Sequence, residues 1–265
     1  MVRFKKNLKV LFAQFIILGS FLCIWEIIGR ISQNIAFFFG TPTAILTELK
    51  KLIIEDGLHS HFFITGSEAV VGLIIGTIFG SLVGLLLWYS ETATEIARPF
   101  IIAVGTLPIF AFAPLMIVWF GVGFKMKVAM AAFSTVFVAF NQANKGANLV
   151  SSEYVDTMKG MNATRYQIFS KVIVPGSIDW VLSSMRLNVG FGLLGAFIGE
   201  FISSDKGLGY LILRAGGLYN IPRAFAAAIG ITILALILDA LARYIERNRH
   251  LIIQWISVPR LLWKK

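Results

Sequence analysis

Six predominantly apolar stretches, most of them close to twenty residues long, govern what this chain can fold into. They fall at about 10–29, 65–88, 99–120, 126–143, 178–202 and 224–245. A helix rises about 1.5 Å per residue, so ~20 residues match the ~30 Å hydrocarbon core of a bilayer. No water reaches that core, and an open strand would leave its peptide groups unpaired there, whereas a helix satisfies them internally. The alternating pattern of a membrane β-barrel is absent. The chain therefore reads as an all-α membrane protein with six transmembrane helices.

Composition points the same way. Apolar residues make up 57% of the 265 residues and charged residues 14%, with a mean hydropathy of +0.79. A soluble domain lies nearer one half and one quarter. The net charge of +10 is read as a topology signal and not as a nucleic-acid footprint, because the basic residues flank the apolar runs and face anionic lipid. With the N-terminus inside, Lys and Arg are about twice as numerous on inner segments as on outer ones. Arg3, Lys5, Lys6, Arg98, Lys145, Lys159, Arg165 and Arg247 lie on the inner side; Lys50, Lys51, Lys125, Lys127, Lys206 and Arg223 lie on the outer side. That bias places both termini in the cytoplasm. The basic start at Met1–Lys6 is followed by no small-residue cleavage site, so the first run is read as a retained span. Cys23, alone in the chain, permits no disulfide framework.

Two connections are long. On the outer side, residues 41–56 read as a capped amphipathic helix lying at the surface, with Thr41-Pro42-Thr43 at its start, followed by Ile45, Leu46, Leu49, Leu52 and Ile53. On the cytoplasmic side, residues 144–177 are polar with an amphipathic interior. There Val155, Met158 and Met161 share a face, and a turn follows at Asn162–Thr164. A second short helix then carries Tyr166, Ile168, Phe169 and Val172, with a stop at Pro175. The expected product is a helix–turn–helix that offers an apolar ridge to a partner.

Inside the spans, Gly72, Gly76, Gly80 and Gly84 stand four apart on one helix face, where a neighbouring backbone can approach. Gly195 and Gly199 repeat the device. Pro108 and Pro114 each remove a hydrogen bond and are expected to bend the third span. Arg186 and Asp239 lie at similar depth and are expected to pair, with Asp239 also within reach of Arg243 one turn on. Glu26 and Glu68 sit near span ends. Glu200, near the outer end of its span, either lines a pathway, anchors a gate or sits at the interface. No G-x-x-x-x-G-K-[ST] and no H-E-x-x-H occurs, and His59 and His61 are read as solvated. Catalytic residues and a metal site are thus not expected. A secondary carrier would call for acidic residues near the bilayer midplane.

Residues 153–177 resemble the cytoplasmic coupling loop of binding-protein-dependent ABC importer permeases, whose pattern runs E-A-A, three residues, G, then about a dozen residues to I-x-L-P. Aligned from Ile173-Val174-Pro175, Asp156-Thr157-Met158 fall on E-A-A and Asn162 falls on the glycine. Further matches follow in order. Leu107-Pro108, Pro114-Leu115, Trp119-Phe120-Gly121-Val122-Gly123 and Lys127 look like the third span of the nitrate/sulfonate/taurine branch. Gly207-Leu208-Gly209 and Asp239, Arg243, Glu246-Arg247 and Trp255 do likewise, so the likeness spans roughly residues 40–255.

The resemblance implies a MetI-like bundle with a cytoplasmic coupling helix. Its divisions are a first span and outer helix over 1–64, a permease domain over 65–255 with the coupling loop at 144–177, and a tail at 256–265. It implies ATPase coupling by Asp156, Thr157, Met158, Gly160, Asn162, Ala163, Arg165 and Pro175, and a translocation pathway or gate at Pro108, Pro114, Arg186, Asn188 and Glu200. The implied partners are a second copy of the chain, two ABC ATPase subunits that hold ATP and Mg, an extracytoplasmic solute-binding protein, and the lipid of a bacterial plasma membrane. No cofactor sits on this chain. The solute stays open between a small anion, such as a sulfonate, taurine or nitrate, and a neutral vitamin-precursor heterocycle.

Overall fold

A computed structural model describes residues 2–248, with side chains from Phe12 onward. The expected tail at 256–265, and Trp255, lie outside the described residues. In chain order the helices are α1 (Val2–Ile31), α2 (Gln33–Phe39), α3 (Pro42–Ile54), α4 (Leu58–Leu86), α5 (Glu91–Gly105) and α6 (Ala113–Phe120). There follow α7 (Phe124–Asn148), α8 (Ser152–Gly160), α9 (Arg165–Ile168), α10 (Val174–Ile202), α11 (Leu208–Gly217) and α12 (Ile221–Arg247). Helices α1, α4, α7, α10 and α12 are long and apolar enough to cross a membrane by themselves, while α5 and α6 reach that length only together.

That pair corrects the picture of one bent third span. The chain turns by 89° between Gly105 and Ile109. Pro108 lacks an amide proton and disfavours helical backbone at Leu107, so the helix ends before it. A 3₁₀ turn over Ile109–Phe112 carries the chain into α6. Pro114 bends nothing, because it occupies the first turn of α6, where no intrahelical donor is needed.

Helices α4, α7 and α10 form the inner triad. A Cβ placed on Gly72, Gly76, Gly80 or Gly84 would in each case collide with α7, meeting in turn Ala131, Thr135, the Val136 carbonyl and the Phe140 carbonyl. From α10, a Cβ on Gly195 would lie 2.6 Å from Ala131 Cα, and one on Gly199 would lie 2.9 Å from Lys127 Cγ. Between apolar helices in lipid the hydrophobic effect supplies little, so dispersion at close range and hydrogen bonds must hold them. The α4–α7 seam has both, since Asn144 Nδ2 donates to the Gly84 carbonyl at 3.1 Å.

The remaining spans dock around this triad. Thr41 caps α3 by accepting from the Ala44 amide at 3.3 Å. Ile45 and Leu52 of α3 are buried in one cluster with Ala226, Ala227 and Leu234 of α12, so one face of this amphipathic helix is covered by protein and not only by headgroups. Helix α1 stands apart, with Phe12, Phe15 and Ile17 exposed as a lipid-facing helix requires. Its tether is Glu26, which accepts from the Thr43 amide at 3.0 Å and from the Thr43 hydroxyl at 2.8 Å. Trp25 adds an edge contact to Phe225, with centroids 5.7 Å apart.

Replacing Gly80 with Leu is expected to destabilise the detergent-solubilised protein by about 1–3 kcal/mol or more, the usual cost of overpacking. Gly19→Leu, where nothing lies within 4 Å of an added Cβ, should leave the melting temperature unchanged. Equal melting temperatures for both variants would mean that the seam does not hold the bundle.

Candidate functional site

At the end of the triad where α4 and α7 begin, a polar network sits where the sequence promised only helix ends. Because α4 begins at Leu58, Glu68 lies ten residues inside it and is 1% exposed. Lys127 of α7, expected in an outer segment, is buried instead and places Nζ 2.7 Å from Glu68 Oε1. It also donates to Ser204 Oγ at 3.0 Å. Glu200 of α10 is fully buried beside Glu68. Its Oε1 accepts from Thr65 Oγ1 at 2.6 Å and its Oε2 from the Gly209 amide at 2.7 Å. The carboxyl group therefore caps the N-terminus of α11, accepting from an amide that has no partner within the helix.

The Gly207-Leu208-Gly209 run explains itself in this setting. Gly207 has φ +114°, and a Cβ there would collide with the Glu200 carboxyl. Its amide donates to His61 Nδ1 at 2.9 Å, and the Leu208 amide donates to Thr65 Oγ1 at 2.9 Å. So His61, read as solvated, holds the loop that leads into α11. Glu200, placed among the pathway or gate candidates, is enclosed in a structural knot that joins α4, α7, α10 and α11. Asn188 is likewise enclosed among helices. It is fully buried and donates to Thr77 Oγ1 at 2.9 Å, which ties α10 to α4.

At the other end, Arg186 Nε lies 3.3 Å from Asp239 Oδ1, and Asp239 also pairs with Arg243. The expected pair is present, and it links α10 to α12. Pro108 and Pro114 are exposed along the broken α5–α6 arm.

The loop between α7 and α10 is a compact helix–turn–helix. Ser151 caps α8 by accepting from the Glu153 amide at 3.3 Å. Asn162 adopts φ +55°, the left-handed conformation that asparagine tolerates best after glycine. The Ala163 amide then bonds back to the Met158 carbonyl at 3.0 Å, closing the helix end around Gly160. Thr164 and Gln167 form a reciprocal capping box at the start of α9.

Two expectations for this loop are corrected. Val155 and Met158 are half-buried against Ala147, Ile168 and Ile173, so of that stripe Met158 and Met161, with Tyr154, remain beside an open groove. The exposed large side chains are Tyr154, Met161 and Tyr166, beside exposed Asp156, Thr157 and Arg165. Pro175 does not stop the helix. Residues Phe169–Ile173 form a π-helical turn in which the Val174 amide reaches back to the Phe169 carbonyl, and the widened turn admits a proline without breaking the rod. Helical structure thus runs unbroken from Arg165 to Ile202. The loop is also pinned to the α4–α5 junction, with Phe169 and Tyr89 rings 4.7 Å apart and Arg165 donating to the Tyr89 carbonyl at 3.4 Å.

Comparison with known proteins bears on what this arrangement does. A family model described as "Binding-protein-dependent transport system inner membrane component" matches residues 72–250. The chain is 28% identical over 248 residues to a "Probable ABC transporter permease protein" of Haemophilus influenzae, covering 94% of this chain and 96% of the relative. It is 26% identical over 235 residues to the formylaminopyrimidine transport permease protein ThiX of Halalkalibacterium halodurans, covering 88% and 92%. To the taurine transport system permease protein TauC of Escherichia coli it is 25% identical over 236 residues, covering 87% and 86%. Among solved structures, an inward-facing MetNI methionine ABC transporter chain aligns with a TM-score of 0.62 at 16% identity, covering 76% of this chain and 96% of that one. A chain of a bacterial ABC transporter that imports the acidic polysaccharide alginate aligns with a TM-score of 0.62 at 14% identity, covering 93% and 99%. Both likenesses concern the fold.

Removing Lys127 alone strands Glu68 as a buried charge, which typically costs about 3–5 kcal/mol. Lys127→Met should therefore unfold the protein far more readily in a thermal melt, and Lys127→Met combined with Glu68→Gln should recover much of the loss. A double variant no better than the single one would show that the two residues do not interact.

Proposed function

The chain belongs to the family of binding-protein-dependent transport system inner membrane components, and from that premise we propose how this particular chain converts ATPase motion into solute passage. It is a multi-pass permease subunit of an ATP-driven importer in the inner membrane, and it works with an ATPase and a solute-binding protein. It is not an enzyme, and ATP hydrolysis belongs to the separate ATPase chain.

The observation that carries the proposal is the continuity of α9, the π turn and α10. The exposed surface of the helix–turn–helix, with Tyr154, Asp156, Thr157, Met161 and Tyr166, is the ATPase contact. Gly160, Asn162 and Ala163 shape its turn, while Met158 supports it from beneath. When the ATPase moves this loop, Arg165–Ile202 moves with it as one lever, with Pro175 at its widened turn. The glycine seam transmits the tilt to α7 and α4, and the broken α5–α6 arm, hinged at Pro108, changes its distance from α7. Two copies of the chain enclose the pathway, two ATPase subunits dock beneath them, and both termini lie in the cytoplasm. The solute is a small organic or inorganic anion of the sulfonate, taurine or nitrate class, or a vitamin-precursor heterocycle. The relatives named for taurine and formylaminopyrimidine support that range.

The test is purification from native membrane in mild detergent with whatever binds. A stoichiometric partner carrying G-x-x-x-x-G-K-[ST], with ATPase activity, is expected; a lone chain without ATPase would overturn the reading. Asn162→Val forces a β-branched residue into the left-handed region, and Asp156→Trp crowds the contact surface. Both should leave the chain folded yet uncouple hydrolysis from uptake, while Asn162→Gly retains coupling. Normal solute-stimulated ATPase in the Val and Trp variants would remove the coupling role.

A further inference from the structure

Helices α5 and α7 face each other with matched stripes that the glycine seam does not use. Thr94, Arg98, Ile101 and Ile102 follow one another along a face of α5 at helical spacing, and Ser134, Phe137, Asn141, Lys145 and Asn148 do so along α7. The helices approach at Gly105, where an added Cβ would lie 3.3 Å from the Phe137 ring. Toward the start of α5 they diverge and leave a cavity of about 620 Å³, which Thr94, Arg98, Asn141, Asn144, Lys145 and Asn148 help to line. A second cavity of about 360 Å³ shares Ile101, Ile102 and Asn141 with the first and continues toward Ser134, Phe137 and Phe191.

The charge in this chamber is one-sided. Arg98 and Lys145 both line the larger cavity, and no carboxylate lines either cavity. Arg98 has no hydrogen-bond or ion-pair partner among the described residues. Lys145 rests over the Trp180 ring, with Nζ 5.0 Å from its centroid, an arrangement that holds the ammonium in place without neutralising it. The Arg186–Asp239–Arg243 cluster, in contrast, carries its own counter-charge.

We propose that the chamber between α5 and α7 is a binding subsite for a small organic oxyanion, with its charged head held by Arg98 and Lys145 and its apolar part directed toward Ile101, Phe137 and Phe191. The assignment rests on the permease reading and narrows its solute from the anion-or-heterocycle pair to the anion. The guanidinium supplies paired donors suited to a sulfonate, carboxylate or phosphate group, and Asn141 offers an uncharged donor where the two cavities join. A phospholipid headgroup presents the same chemistry, so the test must separate a free solute from lipid.

The experiment uses the full chain with its co-purified partners in nanodiscs of phosphatidylcholine alone, titrated calorimetrically with ethanesulfonate, benzenesulfonate and the neutral isostere ethyl methyl sulfone. Saturable binding of at least one sulfonate is expected, with the sulfone weaker by about tenfold or more, the scale of one charge-assisted contact. Arg98→Gln should weaken sulfonate binding by a similar factor without affecting the sulfone, and Arg98→Lys should restore part of it. Co-purification of the partner in these variants serves as the control for assembly. Binding of neither sulfonate, equal binding of the sulfone, or unchanged binding in Arg98→Gln would overturn the proposal. Arg98-dependent binding of phosphatidylglycerol, with no sulfonate binding in nanodiscs that lack it, would assign the cations to lipid and overturn it equally. Failure to isolate an ATPase partner would strike the permease reading itself, because sulfonate titration of the chain alone would still report on the chamber.

Discussion

Close approach of backbones along α4, α7 and α10 is the constraint on which the rest of this structure depends. In a bilayer, apolar helices gain little by leaving lipid for each other, so they must gain by distance. Four glycines at four-residue spacing let α4 lie against α7, and Gly195 and Gly199 bring α10 to the same helix. Once the three backbones touch, their polar groups fall within bonding range: Asn144 reaches the Gly84 carbonyl and Asn188 reaches Thr77. The apolar outer faces then receive α12, α3 and α11.

Charge is admitted to this core only where it is answered. Glu68 and Lys127 are both nearly inaccessible and make an ion pair, and Glu200 satisfies itself on the hydroxyl of Thr65 and the amide of Gly209. A carboxylate left alone at that depth would cost several kcal/mol. The result is one stiff end, in which four helices and the loop at Ser203–Gly207 are bonded to one another. The opposite end differs in kind. Its loop is compact but exposed, and it continues without a break into α10, while the α5–α6 arm is broken at Pro108 and separated from α7 by the chamber. A bundle knotted at one end and levered at the other suits a permease whose passage opens and closes by helix tilt.

Features set by local chemistry were legible in the amino-acid order alone. Apolar runs disclosed the spans, four-residue spacing disclosed the glycine face, Thr41 disclosed the cap of α3, and Asn162 disclosed a left-handed turn. Equal depth even foretold the pairing of Arg186 with Asp239. The misreadings share a cause. Pro175 looked like a stop because a proline breaks an ordinary α-turn, and only the π turn before it, at the residues where Phe169 packs on Trp88 and Tyr89, removes the conflict. Val155 and Met158 form a genuine stripe, but periodicity cannot say whether a stripe faces its own loop or a partner.

By itself, then, the sequence determined that this chain is a membrane-spanning helical bundle with a helix–turn–helix between two of its spans, because hydropathy, caps and turn residues act within a few positions of one another. Tertiary structure alone decided that Lys127 meets Glu68, that Glu200 caps α11, and that Arg98 and Lys145 share one chamber. Those partners come from different helices, and their meeting depends on the depth and rotation at which the glycine seam lets the helices lock.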